Sequence, residues 1–152
     1  MNLKLKIEKL KFNAVIPQYA SAGAACFDLH AIGVPEGGVS VTQDSPQRFH
    51  TGLAFEVPVG WVMLISSRSG HGFNADVRLS NCEGVIDSDY RGEVQVKLAA
   101  DGDPFVVKNG DRIAQARLAQ CPQFEFEVVS ELSVTERGSG GFGSTGTSKA
   151  II

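Results

Sequence analysis

The sequence predicts an all-β domain, a sandwich or barrel of short strands, and three observations carry that expectation. Apolar residues recur with period two in several short stretches, Glu93-Val94-Gln95-Val96-Lys97-Leu98 being the clearest, and this is the pattern of a half-buried strand. Turn signals built on Gly, Pro, Asn and Asp recur at strand-length intervals along the chain, as they do in sandwiches and barrels. No stretch keeps a sustained helical period, so at most one short helix is expected, near residues 69–74.

Taken in order, residues 1–11 alternate Leu3, Leu5 and Ile7 with Lys4, Lys6 and Glu8. That is a strand pattern and not the apolar core of a signal peptide. A loop-like stretch of small residues follows over 19–25, and Cys26-Phe27-Asp28-Leu29-His30-Ala31 then places Phe27 and Leu29 on one face and Asp28 on the other. Glu36-Gly37-Gly38 marks a turn before a short strand at 39–41. Residues 49–57 and 61–65 read as strands separated by Pro58-Val59-Gly60, a break that suits a turn because proline cannot donate to a ladder. Residues 80–96 read as a hairpin with carboxylates at its bend: Val85 and Ile86 abut Asp87-Ser88-Asp89, and alternation resumes at Glu93. Asp101-Gly102-Asp103-Pro104 is a further turn. A strand at 105–108 leads to Asn109-Gly110, a strong hairpin signal because both residues tolerate positive φ. Strands at 113–118 and through Phe124, Phe126 and Val128 complete the series.

The 152 residues fit one domain, which at this size buries about 70% of its unfolded surface. A composition shift at Arg137 divides it into a β domain, 1–136, and a glycine-rich arm, 137–152. The net charge is −3 and the 14 basic residues are scattered, which excludes the electrostatic footprint of a nucleic-acid binder while leaving room for a small anionic ligand. The longest strongly apolar run, 61–65, is far below the ~20 residues of a membrane span. Cys26, Cys82 and Cys121 are odd in number, widely spaced and without histidine at ligand spacing. They support neither a disulfide framework nor a zinc site, and reduced thiols in a cytoplasmic setting are expected.

Several polar stretches carry more than turn chemistry requires. Asp87, Ser88 and Asp89 alone are adequately explained as turn formers. Ser66-Ser67-Arg68-Ser69-Gly70 gathers an arginine, hydroxyls and open backbone directly after an apolar strand, a plausible phosphate contact. Gly110-Asp111-Arg112-Ile113-Ala114-Gln115 places an acid, a base and an amide at a strand start. In Arg137-Gly138-Ser139-Gly140-Gly141-Phe142-Gly143-Ser144-Thr145-Gly146 one arginine and one phenylalanine sit among glycines. Glycines let backbone N–H groups approach phosphate, arginine clamps it, and phenylalanine offers a flat face. A P-loop is excluded, because Gly141 and Gly146 have its spacing but Thr147 stands where lysine is needed.

Together with Ala25-Cys26-Phe27-Asp28-Leu29 and Gly84-Val85-Ile86-Asp87-Ser88-Asp89-Tyr90-Arg91-Gly92, these stretches form five ordered motifs along nearly the whole chain. The chain thereby resembles the trimeric dUTPases, the deoxyuridine 5'-triphosphate nucleotidohydrolases. It departs from their usual pattern at Cys26, where glycine is common, at Ser67, where proline commonly precedes the arginine, and at Glu83, where an apolar residue is usual.

The resemblance implies a jelly-roll-like β fold and a homotrimer whose active sites are shared, with the arm closing over a neighbour's site. It implies hydrolysis of dUTP to dUMP and pyrophosphate with Mg²⁺ on the triphosphate, limiting uracil in DNA and supplying dUMP for thymidylate synthesis. By that similarity Asp87 activates the attacking water, Tyr90 packs on the deoxyribose, and Asn81 with the backbone of Gly84, Val85 and Ile86 and with Gln95 reads uracil. Arg68, Ser69, Gly70, Gln115, Arg137 and Ser144 hold phosphates, Phe142 lies over the uracil, Gly143 is a further substrate-binding residue, and Asp28 reaches the metal through water. Two other readings stand beside it: a dCTP deaminase or bifunctional relative sharing the fold, and a dUTP-sensing module that binds a partner protein. Neither a nucleic acid nor a membrane is an expected partner.

Overall fold

The computed structural model describes residues 4–144. Residues 1–3 of the expected first strand, and 145–152 of the expected arm with Thr145 and Gly146 of the fifth motif, lie outside the described residues. Among the described residues eleven strands and one helix are formed: β1 (Lys6–Lys9), β2 (Phe27–His30), β3 (Val39–Val41), β4 (Gln47–His50), β5 (Leu53–Glu56), β6 (Trp61–Ser66), α1 (Ser69–Ala75), β7 (Val77–Leu79), β8 (Gly84–Ile86), β9 (Gln95–Ala100), β10 (Phe105–Val107) and β11 (Arg112–Gln120). All strand pairs are antiparallel. They make a four-stranded sheet in the order β2-β11-β6-β8, a three-stranded sheet β4-β9-β7, and the pairs β1-β5 and β3-β10. The expected all-β, jelly-roll-like fold with one short helix is what forms.

One core joins these sheets. Leu29, Leu53, Met63, Leu79, Leu98 and Ile113 are shut from solvent and come from six different strands; side chains of this size contribute about 1.5–3 kcal/mol each on full burial. The expected alternation is present: Phe27 and Leu29 are buried while Asp28 is partly exposed, and Val94, Val96 and Leu98 are buried while Gln95 and Lys97 face out.

Four expectations are corrected by the strand pairing. The strand expected over 49–57 is two strands: β4 joins β9 and β5 joins β1. The break at Thr51-Gly52 turns the chain from one sheet to the other. Gly52 has φ of 66° and a Cβ there would lie 2.5 Å from Ile32 Cδ1, so only glycine fits. The buried Thr51 hydroxyl donates to Val94 O at 2.6 Å and fastens the corner. The hairpin expected over 80–96 is instead a connection between sheets, because β8 pairs with β6 whereas β9 pairs with β4 and β7. Asn109-Gly110 does turn the chain, with Gly110 at φ 87° and Asp111 N–H donating to Lys108 O at 3.1 Å, but the strands it joins belong to different sheets. Finally, Phe124, Phe126 and Val128 form no strand and are 78, 94 and 97% exposed. Their alternation is real, but no strand of the same chain pairs with them among the described residues.

Candidate active site

The pairing of β2, β11, β6 and β8 sets three motifs side by side. Asp28 on β2 lies opposite Gln115 on β11, which lies opposite Ser66 at the end of β6. One step along, Ile65 of β6 is opposite Gly84 of β8. Close approach is required there, since a Cβ on Gly84 would stand 3.1 Å from Ile65 Cβ. Ile113 supplies an extra residue between Arg112 opposite His30 and Ala114 opposite Leu29. This bulge re-aims the start of β11, and Arg112 Nη1 donates to Asp28 Oδ2 at 3.3 Å.

Asp28 is the hub of the cluster that gathers Arg68 and Arg112. Its other oxygen accepts from Arg68 Nε at 2.9 Å, and both side chains of that pair are about four-fifths shielded. Gln115 Nε2 donates to Ser67 O at 3.1 Å and Ser67 Oγ accepts from Leu79 N–H at 2.9 Å, so the loop carrying Arg68 is anchored to β11 and β7. Gln115, expected at phosphate, thus holds backbone in this state. Ser69 and Gly70 open α1 and are exposed.

The nucleoside-sized space lies beside β8. Asn81, Gly84, Val85, Ile86 and Gln95 line one cavity of about 220 Å³. Val85, Ile86, Asp87, Tyr90 and Gln95 line an adjoining one of about 360 Å³ together with Glu93 and Val94. β8 is the last strand of its sheet, so its outer N–H and C=O groups have no strand partner and are offered to that space. The bend after it is tied down, with Arg91 Nη1 donating to Ser88 O at 2.8 Å and Tyr90 O at 2.9 Å, which leaves the Asp87 carboxylate exposed at the cavity wall. Glu83 faces solvent rather than the cavities. Its carbonyl accepts from Asn81 Nδ2 at 3.0 Å, so its charge is not set against a bound anion.

Sequence reasoning missed Glu93 and its partners His50 and Gly52. Its carboxylate accepts from Gly52 N–H at 2.8 Å and Gln95 Nε2 at 3.0 Å and lies 2.8 Å from His50 Nδ1. Its backbone carbonyl accepts from Tyr90 Oη at 3.1 Å. Burial raises the Glu93 pKa, but the hydrogen bonds from His50, Gln95 and Gly52 together outweigh it and hold the carboxyl below its ordinary range. The one sequence signal available was a carboxylate placed directly before the alternating run of β9.

Gly92 makes room for Tyr90: a Cβ there would run into Tyr90 Oη and lie 2.6 Å from Cζ. The obstructing atoms are the tip of a rotatable, partly exposed ring, so the ring moves rather than the fold. Gly92→Ala is expected to shift the melting temperature by less than about 3 °C while lowering kcat/KM about tenfold through a displaced Tyr90, as read by steady-state kinetics beside thermal unfolding.

His30 and His71 flank the Asp28 cluster. Burial is the main cause that lowers both pKa values below the ordinary 6.5, with Asp28 opposing and Arg112 and Arg68 adding for His30, and Arg68 the next contributor for His71. Because the unfolded chain then takes up these protons before the native one, stability is full above about pH 6.5 and declines as pH falls below it. The urea midpoint is expected to drop between about pH 7 and 5.5, and less so in a His30→Gln, His71→Gln variant. A midpoint constant over that interval, or an unchanged slope in the variant, would contradict this.

The residues expected on the arm are not brought to these cavities within one chain. Arg137 Nε donates to Gly140 O at 2.7 Å, Ser144 N–H donates to Gly141 O at 3.0 Å, and Phe142 is fully exposed at φ 49° beside Gly143 at φ 92°. Among the described residues no group of three or more His, Cys, Asp and Glu could hold a metal ion unaided. Asp28 still fits a water-mediated contact, since an ionised carboxylate has about four acceptor sites and two are used.

Comparison with known proteins places the chain in a family. A family model described as dUTPase matches residues 13–146. The deoxyuridine 5'-triphosphate nucleotidohydrolase of Nautilia profundicola is 46% identical over 145 residues, covering 95% of this chain and 99% of that one. The protein of the same name from Bdellovibrio bacteriovorus is 43% identical over 146 residues, covering 95 and 97%. A variant dUTPase of Staphylococcus bacteriophage 80alpha with dUpNHpp matches at a TM-score of 0.80 and 23% identity over 96% of this chain and 100% of that one. A variant dUTPase of phage phi11 of S. aureus, described with a structural Mg(II) ion, matches at 0.72 and 20% over 85 and 98%. The two solved structures show a shared fold, and the family model and the curated relatives show more: this chain belongs to the dUTPase family.

Proposed function

We propose that the chain hydrolyses dUTP to dUMP and pyrophosphate in a homotrimer, with Asp87 as the base for the attacking water. The observation that carries this reading is the open edge of β8 and the Asp87 carboxylate meeting at one cavity. An extended peptide edge offers N–H donors on either side of a C=O acceptor, which complement the acceptor, donor, acceptor edge of uracil. Cytosine has its donor and acceptor reversed, and a site with buried polar groups left mismatched discriminates by about 10⁴ or more. Tyr90, held by Glu93 O, forms the sugar wall.

In the reaction, water attacks the α-phosphorus as Asp87 takes its proton. The bond from that phosphorus to the bridging oxygen breaks, and pyrophosphate leaves with the electron pair. Catalysis then rests on positioning and charge neutralisation, to which Arg68, Ser69 and Gly70 contribute from the start of α1 and Arg137 and Ser144 from the arm. Asp28 would hold Mg²⁺ through water, and the ion would neutralise phosphate charge.

The homotrimer is supported by what one chain leaves uncovered. Phe124, Phe126, Val128, Leu132 and Val134 are exposed in an extended segment. An apolar cavity of about 430 Å³ lies between Leu5, Ile7, Tyr19, Phe27, Trp61 and Leu118. Apolar surface on this scale marks an interaction site, and seating this segment on a second copy would carry the arm that follows it toward that copy's cavities. The cytoplasm is the proposed setting, where the nucleotide pool lies, and Cys26, Cys82 and Cys121 are all free, as a reducing compartment requires.

The test is pyrophosphate release with Mg²⁺ from dUTP, dCTP, dTTP and UTP. dUTP alone should turn over. Formation of a deoxyuridine nucleotide from dCTP would favour a deaminase, and no turnover of any of the four would leave a binding module.

A further inference from the structure

We propose that His71 is a positioning residue for Arg68: as a neutral acceptor it holds one guanidinium nitrogen while Asp28 holds another, leaving the third for the substrate triphosphate. The inference rests on the reading of Arg68 as a phosphate ligand.

Arg68 Nη1 lies 3.4 Å from His71 Nε2 while Arg68 Nε donates to Asp28 Oδ1 at 2.9 Å. A guanidinium has donors only, so the contact is favourable only if Nε2 carries a lone pair. That fixes the tautomer with the proton on Nδ1, and Nδ1 is buried without a hydrogen-bond partner among the described residues. The alternative tautomer would satisfy neither nitrogen, since Nε2–H would point at a cation. A buried, unpartnered N–H is unfavourable, and an aliphatic side chain at this place on α1 would avoid it. The acceptor turned toward Arg68 is what histidine adds.

The geometry holds the ring to this task. His71 N–H donates to Arg68 O at 3.0 Å, setting the two residues one helical turn apart. The ring packs on Phe105 of β10 with centroids 5.2 Å apart and planes at 56°. The charged groups that face it are Arg68, Arg112, Asp28 and Asp111. Burial and the neighbouring Arg68 both favour the neutral imidazole, the form that accepts. With Nε and Nη1 held, the guanidinium plane is fixed and Nη2 is left to donate. An arginine fixed in this way loses less side-chain freedom on binding phosphate, so the effect belongs to substrate affinity.

His71→Leu and His71→Gln test this with the intact chain, each with melting temperature measured alongside. His71→Leu keeps the packing on Phe105 and removes the acceptor. It is expected to raise KM for dUTP about tenfold with kcat within about twofold. His71→Gln offers an amide oxygen and is expected to recover KM to within about threefold of wild type. In an Arg68→Ala background His71→Leu should add nothing further. Unchanged KM in His71→Leu, failure of glutamine to rescue, or a full additional loss in the Arg68→Ala background would each overturn the proposal. If Arg68→Ala itself leaves KM unchanged, the reading of Arg68 fails instead; if it raises KM while His71→Leu does not, only the role of His71 fails.

Discussion

Replacing Asp87 with asparagine is expected to lower kcat for dUTP by about 10²–10⁴, the usual worth of a positioned base, with KM close to wild type. Asparagine preserves the shape of the bend, which is held by Arg91 through Ser88 O and Tyr90 O rather than by the Asp87 carboxylate. The cavity lined by Val85, Ile86 and Tyr90 is therefore left intact for binding. What is lost is an anionic oxygen able to take a proton from water, an interaction realised in the transition state and not in the ground state, so it appears in kcat. Isothermal titration with a non-hydrolysable dUTP analogue, run beside the kinetics, separates the two. A variant that binds the analogue normally and hydrolyses dUTP at the wild-type rate would remove Asp87 from the chemistry.

Exchanging both Phe124 and Phe126 for serine is expected to dissociate the proposed trimer to single chains and to lower activity by at least about 100-fold. Both rings stand in solvent in the single chain, so removing them costs the isolated domain almost nothing. In the assembly each buried aromatic contributes about 1.5–3 kcal/mol, repeated at three interfaces. Activity falls with assembly because Arg137, Phe142 and Ser144 reach no cavity of their own chain among the described residues. Dissociation would leave each site without its arm and without that arm's arginine. Light scattering with parallel kinetics checks this, and wild-type chains fully active as monomers would overturn the shared site.

The fold was legible wherever a local pattern decides a local structure. The period-two run of β9 needs only its own residues, and so does the Pro58-Val59-Gly60 turn, where Trp61 N–H donates to Pro58 O at 3.0 Å. Partner choice was not legible. A hairpin and a crossing between sheets carry the same turn signals, so residues 80–96 and Asn109-Gly110 read alike in either case. The break at Gly52 depends on Ile32, twenty residues away in sequence, whose side chain blocks any Cβ. Phe124 and Phe126 show which faces are apolar, but not on which chain their partner lies.

The same division runs through the site. Asp28, Arg68, Asp87, Tyr90 and Gln115 belong to motifs that the sequence displays, and the sheet order sets those motifs side by side. His50, His71 and Glu93 work through other residues, across paired strands, across a bend or across a helical turn. No short pattern announces such contacts. Glu83, which stands where an apolar residue is usual, faces solvent.

The account stands or falls on where water attacks. A single turnover of dUTP with Mg²⁺ in water enriched in oxygen-18, analysed by mass spectrometry, should place one heavy oxygen in dUMP and none in pyrophosphate. Label in pyrophosphate, or release of dUDP and inorganic phosphate, would mean that the Asp87 water does not reach the α-phosphorus and would contradict the assignment.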